Sequence, residues 1–346
     1  MNLDKVRLIG RVMPIEDTLW MALSGTGVEC SVSGTWARID FIADDTWSGP
    51  KENRARVAVY VDDVRVADTL LDRPEVMVTA FEGDDTATHV IRVIKLSESA
   101  MSTCGIAGIE TDGVVAPTEC REKVIEFVGD SITCGYGVDD EDRDHHFATG
   151  TEDVTRAYAY KVAEMLNVEY SMVSFSGYGI VSGYTADGTK MGHQLVPDYY
   201  EKVGFSLGTY LGKYKPQEFD WEFSGCGPDV VVVNLGTNDM SYVLDKEDRR
   251  EVYIDGYAAF LKTIGDRNPT ATIVCTLGVM GEALCSAAEE AVGRYKEETN
   301  PQNSILFVPL RDQLPEDGYV ADWHPTEKTH GKVAETLARA ISALLH

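Results

Sequence analysis

One short apolar run, and the way it stops, constrains this chain more than any other feature. Residues 124–128 are rich in β-branched side chains and predict a buried strand. The run ends at Gly129-Asp130-Ser131, which in one interpretation is an ordinary turn with Ser131 as a helix cap. In the other interpretation these residues belong to a functional site, because open α/β sheets bind ligands at the carboxyl ends of their strands. The three residues alone favour neither interpretation.

After residue 120 the pattern is one of strands alternating with helices. The apolar periodicity predicts further strands at 170–175, 229–235, 272–277 and 305–308. It predicts helices at 154–166, 251–264, 285–299 and 331–345. Strands separated by helices of about 12 to 15 residues indicate a parallel sheet that is covered on both faces. The sequence therefore predicts an α/β domain, a three-layer α/β/α sandwich whose strand ends share one edge.

The first 120 residues follow a different pattern. Short alternating segments recur there at intervals of about ten residues, with almost no helical period. The clearest segment is 54–61, which an acidic turn, Asp62-Asp63, joins to 64–66 as a predicted β-hairpin. This spacing is typical of a β-sandwich or jelly roll. We therefore expect two domains, an all-β domain over residues 1–120 and an α/β domain over residues 121–346.

The net charge of the chain limits the classes of partner that we expect it to bind. With 57 acidic and 31 basic residues, the formal net charge is −26, and such a field repels nucleic acids and anionic membranes. We expect neither as a partner, and we expect a neutral substrate. The seven cysteines have no metal-finger spacing, and the N-terminus lacks the pattern of a secretion signal. These features favour a cytoplasmic protein with reduced thiols. We expect no metal or organic cofactor.

Polar or small residues follow several of the predicted strands. Ser131 follows the first strand of the α/β domain, Gly177 the second and Asn238 the third, while His324 precedes the final helix. Each has an ordinary interpretation, as a cap, a turn glycine or an exposed loop residue. Together they place a hydroxyl, a slim backbone donor, an amide and an imidazole at one edge of the predicted sheet. Four such features in this order are hard to obtain by chance and favour a functional site.

Four sequence blocks carry a resemblance to the SGNH (GDSL-like) hydrolases. They are Gly129-Asp130-Ser131, Gly177, Gly236-Thr237-Asn238-Asp239 and Asp322-Trp323-His324-Pro325. The resemblance covers roughly residues 122–346. With an all-β domain in front, the chain resembles carbohydrate esterase family 2, whose members join a jelly roll to an SGNH domain. Members of that family remove acetyl groups from the sugars of plant polysaccharides.

The resemblance implies a role for each of these residues. Ser131 is the expected nucleophile, and His324 is the expected base that takes its proton. The backbone N–H groups of Ser131 and Gly177 and the side-chain amide of Asn238 form the expected oxyanion hole. Gly177 suits this position because a side chain there would crowd the substrate.

One position departs from the pattern of the superfamily. Its usual acid lies three residues before the histidine, where this chain has Ala321. Asp322 lies two residues before, and side chains two apart in an extended segment point the same way, so this carboxylate is a candidate catalytic partner of His324. In the alternative, a backbone carbonyl orients the ring and leaves a Ser–His dyad, as the family resemblance implies. Both alternatives stay open.

Aromatic residues flank the candidate catalytic residues. Trp323, Tyr178 and Tyr136 either stack on sugar rings as substrate-binding residues or pack the walls of the site. His145 and His146 lie in an acidic loop, and neighbouring histidines rarely share one metal ion. We interpret these two as solvated loop residues and expect no metal site there.

These features predict an O-acetyl esterase that acts on acetylated sugars or short oligosaccharides. One rival is an esterase or thioesterase for lipids at the same SGNH site, which the acidic composition and the lack of an amphipathic membrane helix disfavour. A rival of another class is a glycan-binding protein with an inactive SGNH domain. The intact Ser131, Asn238 and His324 argue against that rival.

Overall fold

The computed structural model of the chain describes residues 5–223, 227–299, 301 and 303–345. Its strands, numbered in chain order, are β1 (Arg7–Ile9), β2 (Val12–Ile15), β3 (Thr18–Met21), β4 (Gly27–Ala43), β5 (Arg56–Val61), β6 (Val64–Leu70), β7 (Glu75–Lys95), β8 (Cys104–Thr111), β9 (Val114–Pro117), β10 (Val124–Gly129), β11 (Glu169–Ser174), β12 (Val230–Asn234), β13 (Thr272–Leu277), β14 (Ile305–Pro309), β15 (Tyr319–Val320) and β16 (His324–Pro325). Its helices are α1 (Ser131–Cys134), α2 (Tyr158–Leu166), α3 (Thr237–Val243), α4 (Glu247–Arg267), α5 (Cys285–Thr299) and α6 (Glu327–Ser342).

The first nine strands form one continuous antiparallel sheet. Its order is β2-β3-β8-β4-β7-β5-β6, and β1 and β9 add to β4. The two longest strands, β4 with 17 residues and β7 with 21, shift register between Gly34 and Trp36. One edge of β4 pairs in turn with β1, β9 and β8, so a single sheet curls around its own apolar core. The predicted all-β domain is confirmed, with one curled sheet in place of two separate sheets.

Five parallel strands form the second sheet, in the order β11-β10-β12-β13-β14. All residues of β12 are buried, because helices cover both faces of the sheet. On one face, α4 and α5 contribute Tyr257 and Ala288 to an apolar core. On the other face, α2 and α6 contribute Tyr158 and Leu337. The predicted three-layer α/β/α sandwich is confirmed.

Several helices begin at other residues than the apolar periodicity predicts. α4 begins at Glu247 and α6 at Glu327, each four residues before the predicted start. Their first turns are acidic and polar, so apolar spacing does not reveal them, yet acidic residues there stabilise a helix through its dipole. α2 begins later than predicted, because 154–156 form a separate 3₁₀ turn capped by Asp153. The periodicity does not predict α3, which has only seven residues.

A long irregular segment joins β11 to β12 and packs on the N-terminal domain. Within residues 175–223 the helical stretches are short 3₁₀ turns at 196–198 and 216–218. Tyr210 of this segment stacks on Trp20, with 5.2 Å between ring centroids. The Tyr210 hydroxyl donates to Thr18 at 3.0 Å. No local sequence pattern predicts these contacts, because their partners lie far apart in the chain.

A buried ion pair also joins the two domains. Arg11, with 1% of its side chain exposed, lies 3.0 Å from Glu126 of β10, which is 6% exposed. Arg11 donates further to the backbone carbonyls of Tyr200 and Lys202. The Tyr200 hydroxyl donates to the second carboxylate oxygen of Glu126 at 2.9 Å. These buried charges are thus paired and hydrogen-bonded, as burial of charge requires.

No helix in the described ranges is long and apolar enough to cross a membrane. Six cysteines are free thiols: Cys30, Cys104, Cys120, Cys134, Cys275 and Cys285. The seventh, Cys226, lies outside the described residues.

We predict that Arg11→Ala lowers the free energy of unfolding by about 3–5 kcal/mol, because it leaves Glu126 buried without its cation. Urea denaturation measures the change. Arg73→Ala is the matched control, since Arg73 pairs with Asp72 on the surface, and its unfolding midpoint should stay unchanged. Equal midpoints for the two variants would contradict a stabilising role of the buried pair.

Candidate active site

The carboxyl edge of the parallel sheet carries the expected site residues. β10, β11 and β12 end level with one another, and Ser131, Gly177 and Asn238 follow their ends. These three residues and His324 line one cleft of about 730 Å³. The structure therefore brings together the four residues that the sequence places at one edge.

Ser131 begins α1, a single helical turn that follows β10 directly. Asp130 is the N-cap of this turn, and its carboxylate accepts the N–H of Ile132 at 3.0 Å. The hydroxyl oxygen of Ser131 lies 2.8 Å from Nε2 of His324. Its backbone N–H has no acceptor within the described part of the chain, so this donor is available to a ligand.

His324 is buried beside Ser131 and is hydrogen-bonded through both ring nitrogens. Its Nδ1 lies 3.1 Å from the carbonyl oxygen of Ala321. That oxygen can only accept, so Nδ1 carries the proton and Nε2 accepts from the Ser131 hydroxyl. The ring of Tyr136 stacks on the imidazole, with 3.9 Å between ring centroids. Burial lowers the pKa of His324 to about 4, so the ring is neutral at pH 7 and able to take a proton.

The carboxylate of Asp322 does not make the predicted contact with the imidazole. One oxygen accepts from the Tyr136 hydroxyl, and the other lies 2.8 Å from Nδ1 of His146. Residues 321–323 form a 3₁₀ turn in which Asp322 has φ 49° and ψ 37°. The alternation of an extended chain, on which the predicted contact depends, therefore does not apply. A backbone carbonyl, the alternative given above, is the group bonded to Nδ1 of His324.

Asp322 nevertheless acts on His324 through its charge. Burial by itself raises the pKa of Asp322, but hydrogen bonds with Tyr136 and His146 outweigh burial and hold that pKa below its usual value. The resulting negative charge favours a protonated imidazole nearby. Asp322 also holds the hydroxyl of the ring that stacks on His324.

Gly177 and Asn238 form the opposite side of the cleft. Gly177 has φ +81°, in the left-handed region that favours glycine. A Cβ there would meet no protein atom within 4 Å, so the space over Gly177 is open to a ligand. Its N–H has no acceptor among the residues that the structure describes. Nδ2 of Asn238 donates to the carbonyl of Tyr178 at 2.8 Å and lies 3.4 Å from Asp130, which fixes the amide at the cleft.

Asp239 fixes the turn that follows Gly177. Its buried carboxylate accepts the backbone N–H groups of Ile180, Val181 and Ser182 at 2.7–3.1 Å. Burial raises the pKa of Asp239 to about 6, although these hydrogen bonds oppose the shift. Asp239 therefore lies in the scaffold of the site, outside the cleft itself.

The three aromatic residues that were candidates for substrate binding occupy different positions. Tyr136 and Trp323 line the cleft. Trp323 is 48% exposed, and the guanidinium of Arg143 lies 4.2 Å from its ring centroid. The ring of Tyr178 is buried in an aromatic cluster whose other members are Phe175, Tyr199 and Phe205. Only the backbone of Tyr178 takes part in the site, because its ring packs into the core beside the sheet.

The cleft also has an apolar wall that the sequence reasoning missed. Its members are Tyr184, Met240, Leu244 and Met280. Met280 follows the end of β13, so the carboxyl-edge rule that singled out Ser131 could have found it. Tyr184 lies in the irregular segment, where no local pattern points to it. Met240 and Leu244 belong to α3 and its end, a helix that the periodicity does not reveal.

One group of side chains in the described ranges is close enough together to hold a metal ion. It consists of Glu98, Cys134 and Glu152, all buried. None of the three lines the cleft, although Cys134 ends the helical turn that begins at Ser131. The residues that line the cleft include the hydroxyl of Ser131, the imidazole of His324 and N–H donors, the set used in acyl transfer.

Two family models match the sequence of the chain. Residues 127–332 match the model of the GDSL-like Lipase/Acylhydrolase family, and residues 8–118 match the model of the carbohydrate esterase 2 N-terminal region. The first match covers more than half of the chain, which therefore belongs to the GDSL-like lipase/acylhydrolase family. Its two matched regions together give it the domain composition of a family 2 carbohydrate esterase. The predicted resemblance to these two families is confirmed.

Individual relatives match large parts of the chain. Cellulase/esterase CelE of Acetivibrio thermocellus is 29% identical over 260 residues, 73% of this chain and 30% of that protein. The chain thus spans less than a third of the length of CelE. An acetylxylan esterase / glucomannan deacetylase of Cellvibrio japonicus is 26% identical over 84% of this chain and 76% of that protein. The structure of the acetyl xylan esterase Est2A from the rumen bacterium Butyrivibrio proteoclasticus has the same fold, with a TM-score of 0.87 at 23% identity over 99% of this chain and 96% of that one.

We predict that the imidazole of His324 titrates near pH 4, well below the usual histidine value of 6.5, because burial disfavours its charged form. An NMR titration of the ring, assigned by comparison with His324→Gln, measures this pKa. The unfolded chain takes up the same proton near pH 6.5, so His324 lowers stability as the pH falls from about 6.5 towards 4. A ring that titrates at 6.5 or above would contradict the burial described above.

Proposed function

We propose that this protein is a serine esterase that removes O-acetyl groups from acetylated sugars or oligosaccharides. The observation that carries the proposal is the 2.8 Å contact between Ser131 Oγ and His324 Nε2, with the donors of Gly177 and Asn238 in the same cleft. This geometry supports ester hydrolysis. The deacetylase names of the relatives support an acetylated carbohydrate as the substrate.

In the proposed acylation step, Nε2 of His324 takes the Ser131 proton while Oγ attacks the carbonyl carbon of the acetyl group. Negative charge develops on the carbonyl oxygen. The proposed donors to it are the N–H groups of Ser131 and Gly177 and the Asn238 N–H that exchanges its long 3.4 Å contact with Asp130 for the oxyanion. One such donor lowers the barrier by about 2.7–4 kcal/mol in comparable hydrolases. The C–O bond to the sugar then breaks, and His324 returns the proton to the sugar oxygen.

In the proposed deacylation step, water replaces the sugar. His324 removes a proton from this water, which attacks the acetyl carbonyl of the acyl-enzyme. Acetate leaves, and Ser131 regains its proton from the imidazolium. Each step is a proton transfer or an acyl transfer that these side chains can carry, so the proposal assigns no role to a metal or an organic cofactor.

The proposed catalytic pair is a Ser–His dyad supported by the backbone. The carbonyl of Ala321 holds the Nδ1 proton and so keeps the tautomer that a general base needs. When His324 becomes protonated, the stacked Tyr136 ring and the nearby Asp322 carboxylate favour the cation. Asp322 therefore has a supporting role in this proposal, without a direct bond to the imidazole.

The shape and charge of the cleft support a neutral sugar substrate. Its volume of about 730 Å³ accommodates a ligand of several rings. Trp323 and Tyr184 are exposed there, 48% and 60%, and exposed aromatic rings can stack on pyranose rings. The net charge of −26 disfavours a polyanionic substrate.

A second candidate function is hydrolysis of longer acyl esters or thioesters. The apolar wall formed by Met240, Leu244 and Met280 favours it, because methionines adapt to apolar groups of different shape. An inactive glycan-binding protein is the third candidate, and it has the least support, because Ser131 and His324 are within hydrogen-bond distance.

We predict that Ser131→Ala abolishes acetate release, because it removes the hydroxyl that lies 2.8 Å from Nε2 of His324. Release is measured on acetylated xylo-, manno- and gluco-oligosaccharides, with NMR to locate the position that loses acetyl. Ser241→Ala, which removes another serine hydroxyl from the same cleft, is the control and should keep most activity. Turnover of 4-nitrophenyl acetate by Ser131→Ala would rule out an esterase at this site.

Assays of the wild-type protein distinguish the first two candidate functions. The proposed function requires a higher kcat/KM for 4-nitrophenyl acetate than for 4-nitrophenyl octanoate. The opposite order would favour the lipid-type esterase, whose longer acyl chain would lie along the apolar wall. The absence of turnover for both esters would leave the glycan-binding candidate.

We predict that Asp322→Ala keeps much more activity than His324→Ala, because the Ala321 carbonyl still holds the imidazole in the variant. The expected kcat loss is about tenfold for Asp322→Ala and at least about 1,000-fold for His324→Ala. Steady-state kinetics on 4-nitrophenyl acetate compare the two. Equal losses would mean that Asp322 completes a triad, in contradiction to the dyad.

A further inference from the structure

A buried carboxyl group from the N-terminal domain contacts the turn that carries Gly177. Glu98 follows β7 and is completely buried. Its Oε2 accepts the backbone N–H of Ser176 at 2.7 Å. Ser176 immediately precedes Gly177, so Glu98 fixes the peptide next to the one that presents the Gly177 N–H. No sequence motif singles out Glu98.

Both the backbone N–H and the backbone carbonyl of Glu98 are hydrogen-bonded to buried side chains. Its N–H donates to Oε2 of Glu152 at 3.0 Å, and its carbonyl accepts from Nζ of Lys95 at 2.9 Å. Lys95 and Glu152 are also fully buried. Arg56 of β5 donates to the Glu152 carbonyl at 2.9 Å. The position of Glu98 is therefore fixed by contacts within the interior, and its carboxylate has little freedom to follow a moving turn.

The same cluster reaches the helical turn of the nucleophile. Cys134 ends α1, and its sulfur lies within 4.8 Å of a carboxylate oxygen of both Glu98 and Glu152. The Cys134 thiol donates to Ser174 at the end of β11. One buried cluster thus contacts the helical turn that follows β10 and the end of β11.

The buried acidic groups of this cluster are better suited to being protonated than to binding a metal cation. Burial is the largest influence on both carboxyl groups and raises the pKa of Glu98 and of Glu152. Burial likewise raises the pKa of the Cys134 thiol. Burial also lowers the pKa of Lys95, whose ammonium would otherwise favour the ionised carboxyl groups. Neutral, hydrogen-bonding forms of these acids therefore suit the interior better than three anionic ligands.

We propose that Glu98, held in place by Glu152, is a positioning residue for the oxyanion hole: it fixes the turn at Ser176 so that the Gly177 N–H points at the reacting carbonyl. The proposal rests on the proposed esterase function. Gly177 has no side chain and a positive φ, so its own conformation has little intrinsic preference. In this arrangement the N-terminal domain completes the catalytic site through one hydrogen bond.

Two conservative variants distinguish the effect of side-chain length at position 98 from the effect of its ionisable group. Glu98→Gln keeps an acceptor oxygen at the same distance from Ser176, and its amide imitates the neutral acid. Glu98→Asp keeps the acid but withdraws it by one methylene group. We expect Glu98→Gln to retain kcat within about threefold. For Glu98→Asp we expect kcat about 10- to 100-fold lower with KM within about threefold, since complete loss of one oxyanion donor lowers kcat about 10²- to 10³-fold.

The assay is 4-nitrophenyl acetate hydrolysis at a temperature where circular dichroism shows each variant to be folded. Glu126→Gln is the matched control, because Glu126 is also a buried carboxyl at the domain contact but has no bond to the Gly177 turn. It should lose thermal stability and keep kcat. A normal kcat for Glu98→Asp, or a kcat for Glu98→Gln as low as that for Glu98→Asp, would overturn the positioning role.

Ser131→Ala in the same assay distinguishes the two possible failures. If Ser131→Ala is inactive and Glu98→Asp is normal, the esterase stands and the positioning role fails. If Ser131→Ala still turns over the ester, the proposed function fails, and the role of Glu98 fails with it. A fall in kcat for Glu126→Gln equal to that for Glu98→Asp would also overturn the proposal, since it would indicate a general effect of loosening the domain contact.

Discussion

The parallel pairing of β10 with β11 and β12 is the constraint on which the site depends. Gly129 pairs with Ser174 on one side and with Asn234 on the other. Val231 and Val233 of β12 pack into one apolar core, and Val230 and Val232 pack into the other. Close packing of both cores holds the strands in this register. The burial that stabilises the sheet therefore also sets how closely Ser131 lies to the donors on the neighbouring strands' turns.

The sequence contains enough information to predict much of this arrangement. The apolar run of β12 and the strands around it have strong local patterns, and their ends can be read directly from the chain. Ser131, Gly177 and Asn238 follow from those ends, and the family motif adds His324. Helix starts at acidic turns, such as Glu247 in α4, cannot be read from apolar spacing.

The parts that could not be predicted depend on backbone conformation or on distant partners. Asp322 is directed away from the imidazole Nδ1 by a left-handed backbone conformation at its own position. Aspartate adopts that conformation more often than most residues do, but its presence in a sequence does not specify it. The stacking of Trp20 on Tyr210 and the bond from Ser176 to Glu98 join residues that are 190 and 78 positions apart. Such contacts depend on how the two domains pack against each other, which the spacing of residues in the sequence does not show.

The group that orients His324 is a peptide carbonyl, and this affects which mutations can disrupt the orientation of the ring. A single base change can delete an orienting carboxylate, whereas every amino acid supplies a carbonyl at position 321. The residues that shape the turn are therefore the positions at which a mutation would displace this carbonyl. Gly137 is one of them, since a Cβ at that position would lie 2.8 Å from the Cβ of Ala321. A glycine with no chemical role in the reaction thus becomes a site at which mutation would disturb the catalytic histidine.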